Sequence, residues 1–191
     1  LPPHFMLESI RMDYPVRYEE SMNTVLQQEC ARFERLLCTV EATLQDLLRA
    51  IRGLMVMSGE LEAMADSMYA QKVPALWEAA AYPSLMPLRG FFADFLKRCE
   101  FLHSWIRNGM PPSYWLSGFF FPQAFLTGQL QNYARKCQLP IDTIAFDFRV
   151  VHASETSQSP TDGCYVHGLF LEGARWCPDA RRAAARSSTA A

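Results

Sequence analysis

Residues Asn23 to Arg52 read NTVLQQECARFERLLCTVEATLQDLLRAIR. Apolar side chains recur along this stretch at steps of mostly three and four residues, as they do on one face of an α-helix. The row consists of Leu26, Cys30, Phe33, Leu37, Val40, Leu44, Leu47, Leu48 and Ile51. A helix over the whole stretch would be ~45 Å long at about 1.5 Å per residue. Because an apolar stripe of that length needs a long partner, the sequence predicts a helical bundle built around this helix.

Four further segments follow the same helical period. Ser58 is a candidate N-cap for the first, because its hydroxyl can accept an early backbone N–H. Asn108-Gly109 is a stop signal for the third, and Pro122 suits the first turn of the fourth. The predicted helices run through Leu61 to Gln71, Ala75 to Ala79, Leu88 to Ile106 and Pro122 to Lys136.

After Pro140 the period changes from 3.6 to 2. Ile144 to Val150 places apolar residues at every second position, which predicts a half-buried strand. Tyr165 to Leu171 alternates in the same way, and the polar run Ala153 to Gly163 would be the turn of a hairpin. The predicted fold class is α+β, mainly α: a helical bundle with long helices followed by an incomplete small antiparallel β-element.

These patterns divide the sequence into four segments. Residues 1–20 have no clear period and are predicted to be an extended lead-in. Residues 21–138 form the helical subdomain, and residues 139–177 form the partial antiparallel β-element. Residues 178–191 are rich in Ala, Arg and Ser and are predicted to be a disordered tail, since they contain nothing able to fill a core.

The composition excludes several classes of protein. Half of the 191 residues are hydrophobic and the net charge is −2, so the protein is able to build a core and has no basic stripe for nucleic acid. The most apolar run, Tyr114 to Leu130, contains Pro122 and polar residues, which disfavours a membrane helix. The six cysteines show no paired or metal-type spacing, which is typical of reduced thiols in an intracellular protein. We therefore expect neither nucleic acid nor membrane as a partner.

The sequence contains no motif for nucleotide binding, metalloprotease or serine hydrolase chemistry. His152 and His167 lie on the two predicted strands, with Asp162 in the turn between them, and a His–Asp pair can act as a general base. A structural role for the histidines is favoured, because no nucleophile accompanies them. Cys164 and His167 would point to opposite faces of a strand. We therefore predict no catalytic, cofactor-binding or metal-binding residues.

Two interpretations remain for the aromatic run Phe119-Phe120-Phe121. It is either a set of core aromatics on a turn, which is favoured because large aromatic residues are mostly buried, or a functional surface, namely a ligand pocket or an exposed docking patch. Two alternative functions also follow from the residues alone. One is a free-standing helical adaptor that binds a partner helix through the Leu26 to Ile51 row, and the other is a small hydrolase that uses His152 or His167.

Long strings of the sequence resemble the C-terminal domain of dynein heavy chains. The strongest are WLSGFFFPQAFLTG at 115–128 and YVHGLFLEGARW at 165–176, which resemble the axonemal branch and its inner-arm heavy chains most of all. The opening YPVRYEESMNTVLQQE at 14–29 resembles the start of the same domain. Shorter matches are GLMVMS at 53–58, VPALW at 73–77, YPSL at 82–85 and QNYARK at 131–136.

The resemblance implies a structural and regulatory cap that lies across one face of the AAA+ ring of the same heavy chain. It implies a minus-end-directed motor of the ciliary or flagellar axoneme, with microtubules and dynein light and intermediate chains as partners of the parent complex. ATP and Mg²⁺ would be bound upstream, so no cofactor and no catalytic residue is expected here. After Trp176 the sequence departs from the family, which predicts a C-terminal end that is truncated, misassembled or variant.

Overall fold

The structure is a computed structural model that describes residues 1–151, 156 and 158–169, and the backbone of two strands at 174–177 and 182–185. It is mainly helical, with two small pairs of strands, so the predicted α+β, mainly α class is confirmed. Short 3₁₀ turns occupy Leu116–Gly118 and Ile141–Thr143. The elements are α1 (Leu7–Asp13), α2 (Ser21–Ile51), α3 (Gly59–Tyr69), α4 (Ala75–Ala80), α5 (Leu88–Asn108), β1 (Ser113–Trp115), α6 (Pro122–Cys137), β2 (Tyr165–His167), β3 (Ala174–Cys177) and β4 (Arg182–Ala185).

Helix α2 is the centre of the fold, as its apolar row predicts. It packs against α1, α3, α4, α5 and α6. Leu26, Cys30, Phe33, Leu37 and Val40 are fully buried on its inner face. Burial of each large apolar side chain contributes about 1.5 to 3 kcal/mol, so this face is the main source of the bundle's stability.

Aromatic rings fill the space between α2, α5 and α6. Phe119 stacks on Phe125 with ring centroids 4.7 Å apart, and Trp105 meets Tyr114 edge to face at 5.2 Å. The Trp77 indole N–H donates to Thr43 Oγ1 at 2.9 Å, which joins α4 to α2. These contacts place the turn before α6 inside the core.

The predicted helix ends are also observed. Ser58 Oγ accepts a hydrogen bond from the Leu61 amide at 3.3 Å and caps α3. Gly109 ends α5 with a φ of 82°, a left-handed value that glycine adopts without strain, and Pro122 opens α6. Local residue chemistry therefore sets these boundaries.

The first segment differs from the predicted extended lead-in, because it contains helix α1. Leu7, Ile10 and Tyr14 are spaced by three and four residues, and Ile10 is buried against the core. The Tyr14 hydroxyl donates to the carbonyl oxygens of Trp105 and Ile106 at 3.2 and 3.0 Å. This helix has only seven residues, and packing rather than intrinsic propensity stabilises so short an element.

The strand predicted over Ile144 to Val150 is wrong. Residues 144–150 follow the Ile141–Thr143 turn and are irregular, apart from one bridge position at Arg149. Phe146 and Val150 are exposed, and the rings of Phe146 and Phe148 lie 5.9 Å apart. Period-2 alternation shows that residues can share a face, but a strand also needs a partner with free backbone groups.

The antiparallel hairpin predicted between residues 144–150 and 165–171 is also wrong, because the second segment pairs with a different strand. Strand β2 pairs in parallel with β1, with Ser113 opposite Tyr165 and Trp115 opposite His167. A separate antiparallel pair joins β3 to β4, with Ala174 opposite Ala185. Strand β4 lies within the segment predicted to be a disordered tail, so Arg182–Ala185 corrects that prediction.

Candidate functional site

His167, one of the two histidines considered for a His–Asp pair, does not hydrogen-bond to Asp162. His167 Nδ1 lies 3.0 Å from Ser113 Oγ, across the β1–β2 pair. Asp162 instead accepts from Lys136 Nζ at 2.7 Å. His152 lies outside the described residues. Within the part of the protein that the structure describes, no carboxylate hydrogen-bonds His167, so this serine and histidine lack the orienting group of a catalytic triad.

Cys164 is half-buried beside β2 and packs against the core. Burial raises the pKa of its thiol to about 11, so the thiol stays protonated at neutral pH. The thiolate is the nucleophilic form of cysteine. The environment of Cys164 is therefore that of a packing residue.

The aromatic run at 119–121 is partly buried and partly exposed. Phe119 is buried and Phe120 packs against the core, whereas Phe121 is half exposed. The turn is held by Glu29, whose carboxylate accepts hydrogen bonds from the Phe120 amide and, at 3.1 Å, from the Phe121 amide. Arg32 forms an ion pair with the same carboxylate, and its Nη1 lies 3.0 Å from Glu29 Oε1.

Glu29 is a structural residue that the sequence interpretation missed. Its side chain is fully buried. Burial raises the pKa of Glu29, while the hydrogen bonds from the two amides act in the opposite direction. The signal was present in the sequence, because position 29 follows Leu26 by three and precedes Phe33 by four on the apolar side of α2.

The outer end of α2 exposes a set of apolar side chains. We call Leu48, Ile51, Leu54 and Val56 the distal apolar row; each is more than half exposed. Met55 and Met57 lie in the same loop and are also exposed. Exposed apolar groups that lie close together are typical of interaction sites.

An open apolar groove of about 650 Å³ also involves α2. It lies between α2, α3, α4 and α5, and its lining includes Leu44, Met68, Trp77, Phe92 and Leu96. Leu44, Leu48 and Ile51 are separated by four and three residues on α2, so they share a side of that helix. One side of α2 therefore contributes Leu44 to the groove and Leu48 and Ile51 to the distal apolar row.

None of the helices that the structure describes combines the length and apolar character needed to cross a bilayer.

Fold and surface together define a mainly helical domain with an apolar face suited to contact with another folded unit. Residues 1–188 match the family model for the C-terminal domain of the dynein heavy chain. The protein belongs to this family and is part of a dynein motor.

Three similar curated proteins are axonemal heavy chains. The sequence is 58% identical over 182 residues to human dynein axonemal heavy chain 1, covering 94% of its own length and 4% of that protein. It is 54% identical over 177 residues to mouse dynein axonemal heavy chain 3, covering 92% of its own length and 4% of the relative. It is 52% identical over 176 residues to human dynein axonemal heavy chain 12, covering 92% of its own length and 6% of that protein. The sequence thus spans a small fraction of the relatives it matches. These relatives indicate the axoneme of cilia and flagella, within the cytoskeleton, as its location.

Proposed function

We propose that this domain is a structural and regulatory cap that docks on the AAA+ ring of its own heavy chain. The parent protein would be a minus-end-directed microtubule motor of the axoneme, bound to dynein light and intermediate chains. ATP and Mg²⁺ would act in other parts of that heavy chain. The domain itself contributes binding surface and no chemistry.

The observation that carries this proposal is the apolar face at the outer end of α2. Leu48 and Ile51 are exposed although they continue the row that forms the core. Exposure of apolar side chains to water is unfavourable. A contact that buries this face against a folded neighbour would therefore be stabilised by roughly 25 cal/mol per Å² of apolar area buried. A ring on the same polypeptide is held at high effective concentration, so even a weak contact stays occupied and can change with the state of the ring.

The test uses a single-headed motor that carries the double substitution Leu48→Ser and Ile51→Ser. We expect basal ATP turnover to stay near the wild-type value, because the ATP sites lie outside this domain. Force or run behaviour should change, and hydrogen exchange at the amides of Ile51 to Val56 should accelerate.

Val16→Ser is the matched control, because Val16 is 66% exposed, as is Ile51, but lies between α1 and α2. If both variants leave force, run behaviour and exchange unchanged, the docking proposal is refuted. Loss of nucleotide binding with no other effect would also contradict it.

A further inference from the structure

Three different metal-binding side chains converge where the N-terminal residues cross α2. His4, Glu34 and Cys38 each place a ligand atom within 4.8 Å of the other two. Glu34 Oε1 lies 2.7 Å from His4 Nδ1 and 3.4 Å from Cys38 Sγ. An imidazole, a carboxylate and a thiol are the three side-chain types that zinc sites use.

The fold brings these groups together independently of any ion. Glu34 and Cys38 are four residues apart on α2, so they share one face of that helix. His4 is positioned by its neighbour Phe5, which is buried and stacks on His103 with ring centroids 4.2 Å apart. The Phe5 amide also donates to Glu34 Oε2 at 2.8 Å. Ligands that are already positioned lose little conformational entropy when a metal binds.

The second nitrogen of His4 has the outer partner that a metal-bound histidine requires. His4 Nε2 lies 2.8 Å from Glu41 Oε2, one further turn along α2. Histidines that bind a metal through one ring nitrogen commonly donate the other N–H to a carboxylate, which fixes the tautomer and the ring orientation. Glu41 would therefore orient His4 rather than bind the ion.

We propose that His4 Nδ1, Glu34 and Cys38 form a Zn²⁺ site that clamps the N-terminal segment onto α2. Zinc accepts mixed nitrogen, sulfur and oxygen ligands at about 2.0 to 2.3 Å, whereas Ca²⁺ and Mg²⁺ select oxygen ligands. Cys38 and His4 are both exposed, so an ion can enter and a water molecule can complete the tetrahedron. On binding, the Cys38 thiol and His4 Nδ1 each release a proton to solvent.

Zinc titration of the 191-residue protein tests the site, by calorimetry and by thermal unfolding, with Co²⁺ as a spectroscopic probe. We expect one equivalent of Zn²⁺, a higher unfolding temperature, and a thiolate-to-Co²⁺ charge-transfer band. Cys38→Ser should abolish the band, and His4→Gln should weaken zinc binding by at least about 100-fold. Glu41→Gln should weaken it about 10- to 100-fold, as changes in outer partners commonly do. Mg²⁺ and Ca²⁺ should give no shift.

Cys137→Ser is the matched control, because Cys137 is also an exposed thiol on a helix. This variant should bind zinc like the wild type. The site is disproved if the folded wild-type protein binds no zinc, or if Cys38→Ser binds it as tightly as Cys137→Ser. Cys38 is exposed, so its substitution preserves the fold and the comparison holds even if His4→Gln destabilises the protein. Neither result depends on docking to the ring.

Discussion

At the scale of single residues, Glu29 shows how one buried carboxylate can hold a turn. Its two oxygens accept from the Phe120 and Phe121 amides and pair with Arg32. A buried charge is costly unless it is paired and hydrogen-bonded, and here each requirement is met. The residue thereby ties α2 to the start of α6 across more than 90 positions of sequence.

Removal of this carboxylate should destabilise the domain strongly. Glu29→Ala leaves two amides without acceptors and Arg32 without its partner, so we expect a loss of roughly 2 to 4 kcal/mol in the free energy of unfolding. Glu29→Gln retains one acceptor oxygen and should cost less. Denaturant unfolding measures both, with the exposed Glu19→Ala as a control that should change stability by less than about 0.5 kcal/mol. Equal stability of Glu29→Ala and Glu19→Ala would contradict this role.

At the scale of elements, β2 is positioned by close packing on the turn that follows β1. Gly168 has a φ of 71°, and a Cβ at this position would lie 2.7 Å from both Ser117 Oγ and Trp115 Cδ1. The end of β2 can therefore approach the β1 turn only because residue 168 has no side chain. Gly163 has a similar φ of 75° but open space around it.

This pair of glycines separates backbone strain from packing. Both Gly163→Ala and Gly168→Ala should lose about 1 kcal/mol from the positive φ. Gly168→Ala should lose a further 1 to 3 kcal/mol or so from overpacking against Trp115. Hydrogen exchange of the Val166 amide reports the local effect. If the two variants accelerate exchange equally, the close approach does not stabilise the strand pair.

At the scale of the whole molecule, the N-terminal residues close one side of the bundle. His4 bonds to Glu34 and Glu41 on α2, and its neighbour Phe5 is buried. Hydrogen bonds to Glu34 and then Glu41 raise the pKa of His4 above its ordinary value of 6.5. Burial acts to raise the pKa of Glu34, but the Phe5 amide and His4 outweigh it, so the pKa lies below the ordinary 4.5.

The signs of these shifts define a pH window for this contact in zinc-free buffer. Protonated His4 stabilises the folded state fully below pH 6.5, and this contribution is lost as the pH rises through the raised pKa. Ionised Glu34 contributes above pH 4.5 and loses its effect as the pH falls through the lowered pKa. The contact should therefore be strongest between these two values.

Thermal unfolding of the wild type and of His4→Gln from pH 4 to pH 9 measures this dependence. The stability difference between them should shrink as the pH rises above the His4 pKa. A difference that stays constant across this range would show that His4 acts only through packing.

Sequence alone determined the helices from α2 to α6 and the family. The period of α2, the Ser58 cap and the Gly109 stop depend on residues within a few positions of one another, so local patterns suffice to predict them. The resemblance to the family rests on long, specific strings, chiefly 115–128 and 165–176, which carry more information than periodicity.

Only the tertiary structure decided which distant segments meet. Three features each depend on residues that lie 30 or more positions apart in the sequence. They are the pairing of β2 with β1, the burial of Glu29 against the Phe120 amide, and the convergence of His4 with Glu34 and Cys38. Alternation at 144–150 predicted a strand because a local pattern shows which side chains can share a face. It does not show which backbone groups will be free to pair, since that depends on how the whole protein packs.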